Sequence, residues 1–116
     1  MIQVTVWTEN DKYVGLDIHG HAGYDEYGYD IVCSAVSVLS INLANSIEAF
    51  TENLFTCEME EGDYHFRLIE KVGEDARLLL KSCVLGLQSI EQEYGSEYIK
   101  ISMQEVNTIE GGKMIC

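Results

Sequence analysis

Ile2, Val4 and Val6 alternate with Gln3 and Thr5, the period-two pattern of a strand with one buried face. After the turn cluster Thr8-Glu9-Asn10-Asp11, a second run puts Val14, Leu16 and Ile18 on one face and Tyr13, Asp17 and His19 on the other. The two runs read as a hairpin. From Ile31 to Phe50 the spacing changes to that of a helix, with Ile31, Val32, Ala35, Val36, Leu39, Leu43, Ile47 and Phe50 at helical intervals. Val38 and Ile41 widen that stripe, and a helix apolar around much of its girth is central to a fold or buried in an interface. A second hairpin follows: Phe55, Cys57 and Met59 alternate with Thr56 and Glu58, Glu61-Gly62-Asp63 turns the chain, and Phe66 and Leu68 alternate with His65 and Arg67. Gly73-Glu74-Asp75 opens a second helix through Ala76, Leu79, Leu80, Cys83, Leu87, Ile90 and Tyr94, with Gly95 as its stop. Gly86 inside it is unfavourable by propensity, which a close helix–helix contact would explain. A last strand runs over about Tyr98–Gln104. The order ββαββαβ predicts an α/β chain of the α+β kind. It is a two-layer sandwich, with a mostly antiparallel sheet and both helices on one face.

Composition narrows the class. A chain of 116 residues suits one domain, read as residues 1–106 with 107–116 as a flexible C-terminal tail. Ser, Asn and Glu interrupt Ile31–Phe50, so no membrane span is expected. The start Met1-Ile2-Gln3-Val4 lacks a basic region followed by an apolar core, so no secretory signal is expected either. Cys33, Cys57, Cys83 and Cys116 are scattered and form no CxxC, which points to a reduced cytoplasm. Twenty acidic residues against seven basic ones, a net charge of -13, argue against nucleic acid and for a basic partner.

The chemistry gathers in Gly20-His21-Ala22-Gly23-Tyr24-Asp25-Glu26-Tyr27-Gly28-Tyr29-Asp30-Ile31-Val32-Cys33. Asp30 reads as the N-cap of the first helix, which puts Cys33 in the first turn, where unpaired N–H groups and the helix dipole favour a thiolate. His21, one loop away, is the base such a thiol needs. Asp30 has a second role open to it, orienting His21 and stabilising its cationic form. Ser37 lies one turn beyond Cys33 on the same face, either bonding within the site or back to a helix carbonyl. Cys57 and Cys83 occupy apolar positions of their own patterns and read as core. His19 and His65 read as exposed strand residues. The loop Ala22–Tyr29 carries Tyr24, Tyr27 and Tyr29, with Gly23 and Gly28 as hinges, and reads as a cover that contacts a peptide.

Gly20-His21-Ala22-Gly23-Tyr24, an acidic glycine-bearing loop and then Asp30-Ile31-Val32-Cys33-Ser34-Ala35-Val36-Ser37 resemble the ribosomal-processing cysteine protease (Prp) family. The likeness has no departure at His21 or Cys33, while Glu110–Cys116 has no counterpart in it. It implies removal of a short N-terminal extension from a large-subunit ribosomal protein, cutting after an aromatic residue. The partner is then a basic N-terminal peptide, no cofactor or metal takes part, and the assembly is a homodimer.

Two other classes compete. His19-x-His21 with Cys33 offers three ligands that zinc accepts, but no CxxC or HExxH accompanies them. A non-catalytic acidic adaptor for a basic ribosomal protein would share the charge and lack the chemistry.

Overall fold

The elements are β1 (Ile2–Glu9), β2 (Lys12–His19), α1 (Tyr27–Phe50), β3 (Phe55–Glu60), β4 (Asp63–Leu68), α2 (Glu74–Tyr94) and β5 (Ile99–Glu105), in the predicted order. They are taken from a computed structural model that describes residues 1–20 and 27–106, with backbone alone for residues 27–30. The five strands form one sheet in the order β3-β4-β2-β1-β5. Three neighbouring pairs are antiparallel. The fourth, β1 with β5, is parallel and pairs Ile2 with Ile99 and Val4 with Ile101.

The inward residues of the strands, Ile2, Val4, Val6, Leu16, Ile18, Tyr64, Phe66, Leu68 and Ile99, meet the inward stripes of the helices. Val32, Val36, Leu43 and Ile47 come from α1, and Ala76, Leu80, Val84 and Leu87 from α2. The helices pack on each other where α2 has no side chain. A Cβ on Gly86 would stand 2.9 Å from Leu39 Cδ1, so the predicted close contact is present and explains the glycine. Cys83, 6 % exposed, donates its thiol hydrogen to the Leu39 carbonyl at 3.6 Å. On the far face of the sheet the Arg67 guanidinium lies 5.1 Å from the Trp7 ring and pairs with Asp17 at 2.8 Å.

Two expectations need correcting. First, α1 begins at Tyr27 rather than Ile31, so Asp30 is inside its first turn and not at the cap. Cys33 therefore falls in the second turn, where an α-helical N–H already bonds four residues back. Its amide is not among the free first-turn donors, and the dipole is felt less there. Second, α1 is long and apolar enough to cross a membrane, which the interrupting polar residues were expected to prevent. Burial of Val32, Val36, Leu43 and Ile47 against the sheet gives the helix a core role instead. Its apolar girth is only partly covered, since Val38 is 66 % and Ile41 45 % exposed.

Gly20 closes the sheet end beside the site. Its φ is +99°, and a Cβ there would approach the Met1 carbonyl oxygen to 2.6 Å. Gly95, at φ +107°, has open space around it. Gly95→Ala should show the backbone cost alone, about 1–3 kcal/mol, since φ +107° with ψ 153° is a region that side chains resist. Gly20→Ala should lose more, because main chain must also move. Urea unfolding of both variants measures the difference, and equal losses would remove the Met1 contact from the argument.

Candidate active site

Cys33 opens onto a cavity of about 250 Å³ at one end of the sheet. Two walls form it. α1 contributes Cys33, Val36, Ser37, Ser40 and Ile41, which recur along one side of the helix. The β3–β4 hairpin contributes Met59, Glu60, Gly62, Asp63 and Tyr64, while Ile2, Ile18 and Gly20 close the floor. Besides the β2–β4 ladder, two contacts among the described residues hold the hairpin there. Gly20 N–H donates to the Gly62 carbonyl at 2.9 Å. The buried Tyr64 hydroxyl donates to the Ser40 carbonyl at 2.8 Å, tying β4 to α1 two turns below Cys33. Burial, with Cys57 beside it, pushes the Tyr64 phenol far above its ordinary value, so it stays a donor.

Cys33 is half-buried and packs against the core. Ser37 is exposed and lines the same cavity. The bond back to the helix, expected of Ser37, is made by its neighbour: Ser40 Oγ donates to the Ser37 carbonyl at 3.2 Å. Cys57 and Cys83 hold the core positions assigned to them, the first partly buried and the second fully. Burial raises the Cys57 thiol and pushes Cys83 up to about 12. Cys33 should therefore alkylate faster than either at limiting iodoacetamide, read by peptide mapping. Labelling of Cys57 or Cys83 at an equal rate would overturn the assignment of Cys33 as the accessible thiol.

His19 is exposed at the end of β2, as expected, and its Nδ1 lies 3.3 Å from Asp63 Oδ1. His65 lies on the sheet face away from the core, as expected, and is partly covered there between two carboxylates: Nδ1 is 3.3 Å from Asp17 and Nε2 3.2 Å from Asp63. Burial alone would lower the His65 pKa, but Asp63 and Asp17 together raise it. Hydrogen bonds from His19 and His65 hold the Asp63 carboxyl below its usual range. Burial alone would raise Asp17, but Arg67 outweighs it and keeps the carboxyl low. Both neighbouring histidines are thus engaged with acids on the sheet.

His21, Ala22, Gly23 and Tyr24 lie outside the described residues, and so does the distance from His21 to Cys33. Tyr27, Gly28, Tyr29 and Asp30 form the first turn of α1. Tyr27, Gly28 and Tyr29 of the expected loop Ala22–Tyr29 are therefore helical, Gly28 standing in helical backbone rather than at a hinge, while residues 22–26 of it lie outside the described residues. Among the described residues no group of three or more His, Cys, Asp or Glu could hold a metal ion; the His19-x-His21 set needs a residue outside them.

The hairpin wall was not foreseen. Met59, Glu60, Asp63 and Tyr64 carry no local signature, and their place beside Cys33 follows from β4 pairing with β2. The alternation of Phe55, Cys57 and Met59 showed a strand without showing its neighbour.

Residues 1–100 match the family described as cysteine protease Prp. The ribosomal processing cysteine protease Prp of Staphylococcus aureus is 33% identical over 106 residues, covering 88% of this chain and 98% of that protein. The Bacillus subtilis protein of that name is 29% identical, covering 81% of this chain and 90% of its own. A crystal structure of the S. aureus protease with a covalently linked product peptide aligns with a TM-score of 0.81 at 30% identity, covering 90% of this chain and all of that one. Another, with a substrate peptide, aligns at 0.82 and 29% identity. The chain thus belongs to the Prp family of ribosomal-processing cysteine proteases, and it is a cysteine peptidase.

Proposed function

We propose that this protein is an endopeptidase that removes a short N-terminal extension from a large-subunit ribosomal protein, cutting after an aromatic residue. The observation that carries this reading is Cys33 in the wall of a cavity in which Ile2, Ile18, Val36, Ile41 and Met59 form an apolar patch, with Ser37, Ser40, Glu60 and Asp63 around it. Such a lining suits a large apolar side chain next to the bond to be cut. The Cys33 thiolate attacks the peptide carbonyl, its proton having passed to His21. The tetrahedral oxyanion collapses to a thioester as His21 protonates the departing amine. Water, deprotonated by His21, then attacks the thioester and returns the thiol with a new carboxylate. Asp30 and Ser37 are supporting residues in this scheme, and the segment Ala22–Tyr29 contacts the peptide.

The protein works in the cytoplasm, a compartment compatible with Cys33, Cys57 and Cys83 all being free thiols. It acts as a homodimer, for which the exposed Val38 and Ile41 on α1 offer an apolar surface. Incubation with synthetic N-terminal peptides of ribosomal proteins, followed by mass spectrometry, tests the activity. Cleavage after an aromatic residue and transient acylation of Cys33 are expected. Binding without any acylation would leave only an adaptor.

Charge makes a further expectation. With a net charge of -13, the protein should draw in lysine-rich peptides, and salt should screen that attraction over about 8–10 Å. kcat/KM for a basic peptide should fall as sodium chloride rises, while a neutral version changes little. Equal responses would exclude electrostatic steering.

A further inference from the structure

Among the described residues the sheet ends on one side at β3, and the far end of β3 runs into the cavity that Cys33 opens on, through Met59 and Glu60. The register identifies which backbone groups of this strand have no partner in the sheet. Ile69 N–H donates to the Leu54 carbonyl at 2.9 Å, just beyond the Phe55–Leu68 pair. Bonded and non-bonded pairs alternate along an antiparallel ladder, so Thr56–Arg67, Glu58–His65 and Glu60–Asp63 are the bonded ones. Phe55, Cys57 and Met59 therefore turn their N–H and C=O groups outward, along an open edge that leads toward the thiol.

An open edge invites another strand, and charge decides which one. Glu58 and Glu60 lie along this strand, with Glu61 in the turn after it. Two such edges paired with each other would bring these carboxylates together, an unfavourable cross-strand arrangement. A strand with lysine or arginine opposite Glu58 and Glu60 would be favoured. On the other side of that strand, alternate residues would face the half-buried Phe55 and the 53 % exposed Met59, and an apolar residue suits them. The opposite edge, β5, contributes nothing to the cavity.

We infer that β3 is a docking rail: an extended peptide of alternating apolar and basic residues adds to it as a sixth strand, and this addition aims the scissile bond at Cys33. The inference rests on the endopeptidase reading above. It assigns to the main chain of Phe55, Cys57 and Met59 a positioning role that side-chain chemistry would not show.

Residue-resolved amide exchange on the Cys33→Ala protein tests it, using a synthetic peptide of alternating phenylalanine and lysine that the unmodified protein cuts. Saturating peptide should slow exchange at Phe55, Cys57 and Met59 by tenfold or more, the scale of one backbone hydrogen bond. Thr56, Glu58 and Glu60, already paired to β4, should change little. In the active protein, Cys57→Pro removes one outward donor and leaves the β4 ladder intact, as edge strands tolerate. It should raise KM about tenfold relative to Cys57→Ala, which keeps the N–H, with alkylation of Cys33 unchanged. The inference is overturned if the peptide is cut and acylates Cys33 while these three amides exchange as in the free protein. Protection that depends on protein concentration and needs no peptide would make the occupant a second copy and overturn it too. A protein that acylates no peptide at all would remove the endopeptidase reading and the rail together.

Discussion

Peptide cleavage should vanish when Cys33 becomes alanine, with a loss on the order of 10⁴–10⁶-fold, the scale on which hydrolases lose turnover when their nucleophile goes. The substitution removes one half-buried sulfur from a cavity wall, so the fold should survive it. Val32 and Val36, which anchor that stretch of α1, are untouched. Circular dichroism and unfolding confirm the fold, and a mass-spectrometric time course reads the cleavage. The complementary measurement is acyl-enzyme trapping. Unmodified protein quenched in acid during turnover should carry the peptide's N-terminal fragment on Cys33, and Cys33→Ala should carry none. Trimming that persists in Cys33→Ala would move the nucleophile elsewhere, and neither Cys57 nor Cys83 is placed to take over. Burial raises the thiol pKa of both.

His21→Ala should lower turnover by about 10²–10⁴-fold, the range of a general base, while His19→Ala should keep most of it. The contrast is informative because the two histidines are only two residues apart. His19 is occupied with Asp63 on the sheet. Its loss would release one contact of an exposed pair, which is worth little. Steady-state kinetics on both variants, with Cys33 alkylation rates alongside, separate a base from a structural residue. A base should affect both the thiol's reactivity and the protonation of the leaving amine. Equal losses from the two substitutions would revive a shared ligand role for the histidine pair.

All seven elements could be read from the chain, because each hydrophobic period is local: two residues for Ile2, Val4 and Val6, three to four for Ala76, Leu80, Cys83 and Leu87. The boundary at Tyr27 could not. Tyr27, Gly28 and Tyr29 are poor helix formers, and Asp30 is a good cap, so propensity put the start four residues late. Partners between strands were equally hidden. Alternation shows which face is buried and is silent on the neighbour, which is why the parallel pairing of β1 with β5 and the place of the β3–β4 hairpin were not foreseen. The candidate site divides the same way. Cys33 and Ser37 lie in one contiguous signature and could be named, whereas Met59, Glu60, Asp63 and Tyr64 reach the cavity only through tertiary pairing.

The β1–β5 pairing also bears on how the chain acquires this shape. Ile2 N–H donates to the Tyr98 carbonyl, and Thr8 Oγ1 sits against Gln104 and Glu105, contacts that span nearly the whole sequence. The β1–β2 and β3–β4 hairpins can zip as soon as they are synthesised, since each closes a loop of a few residues. β1 cannot gain its second neighbour until β5 has left the ribosome. Until then Ile2, Val4 and Val6 line an open sheet edge in a nascent chain. The final strand thus acts as the closing step of folding, and truncation before Ile99 should leave a chain prone to association through β1 rather than a smaller protease.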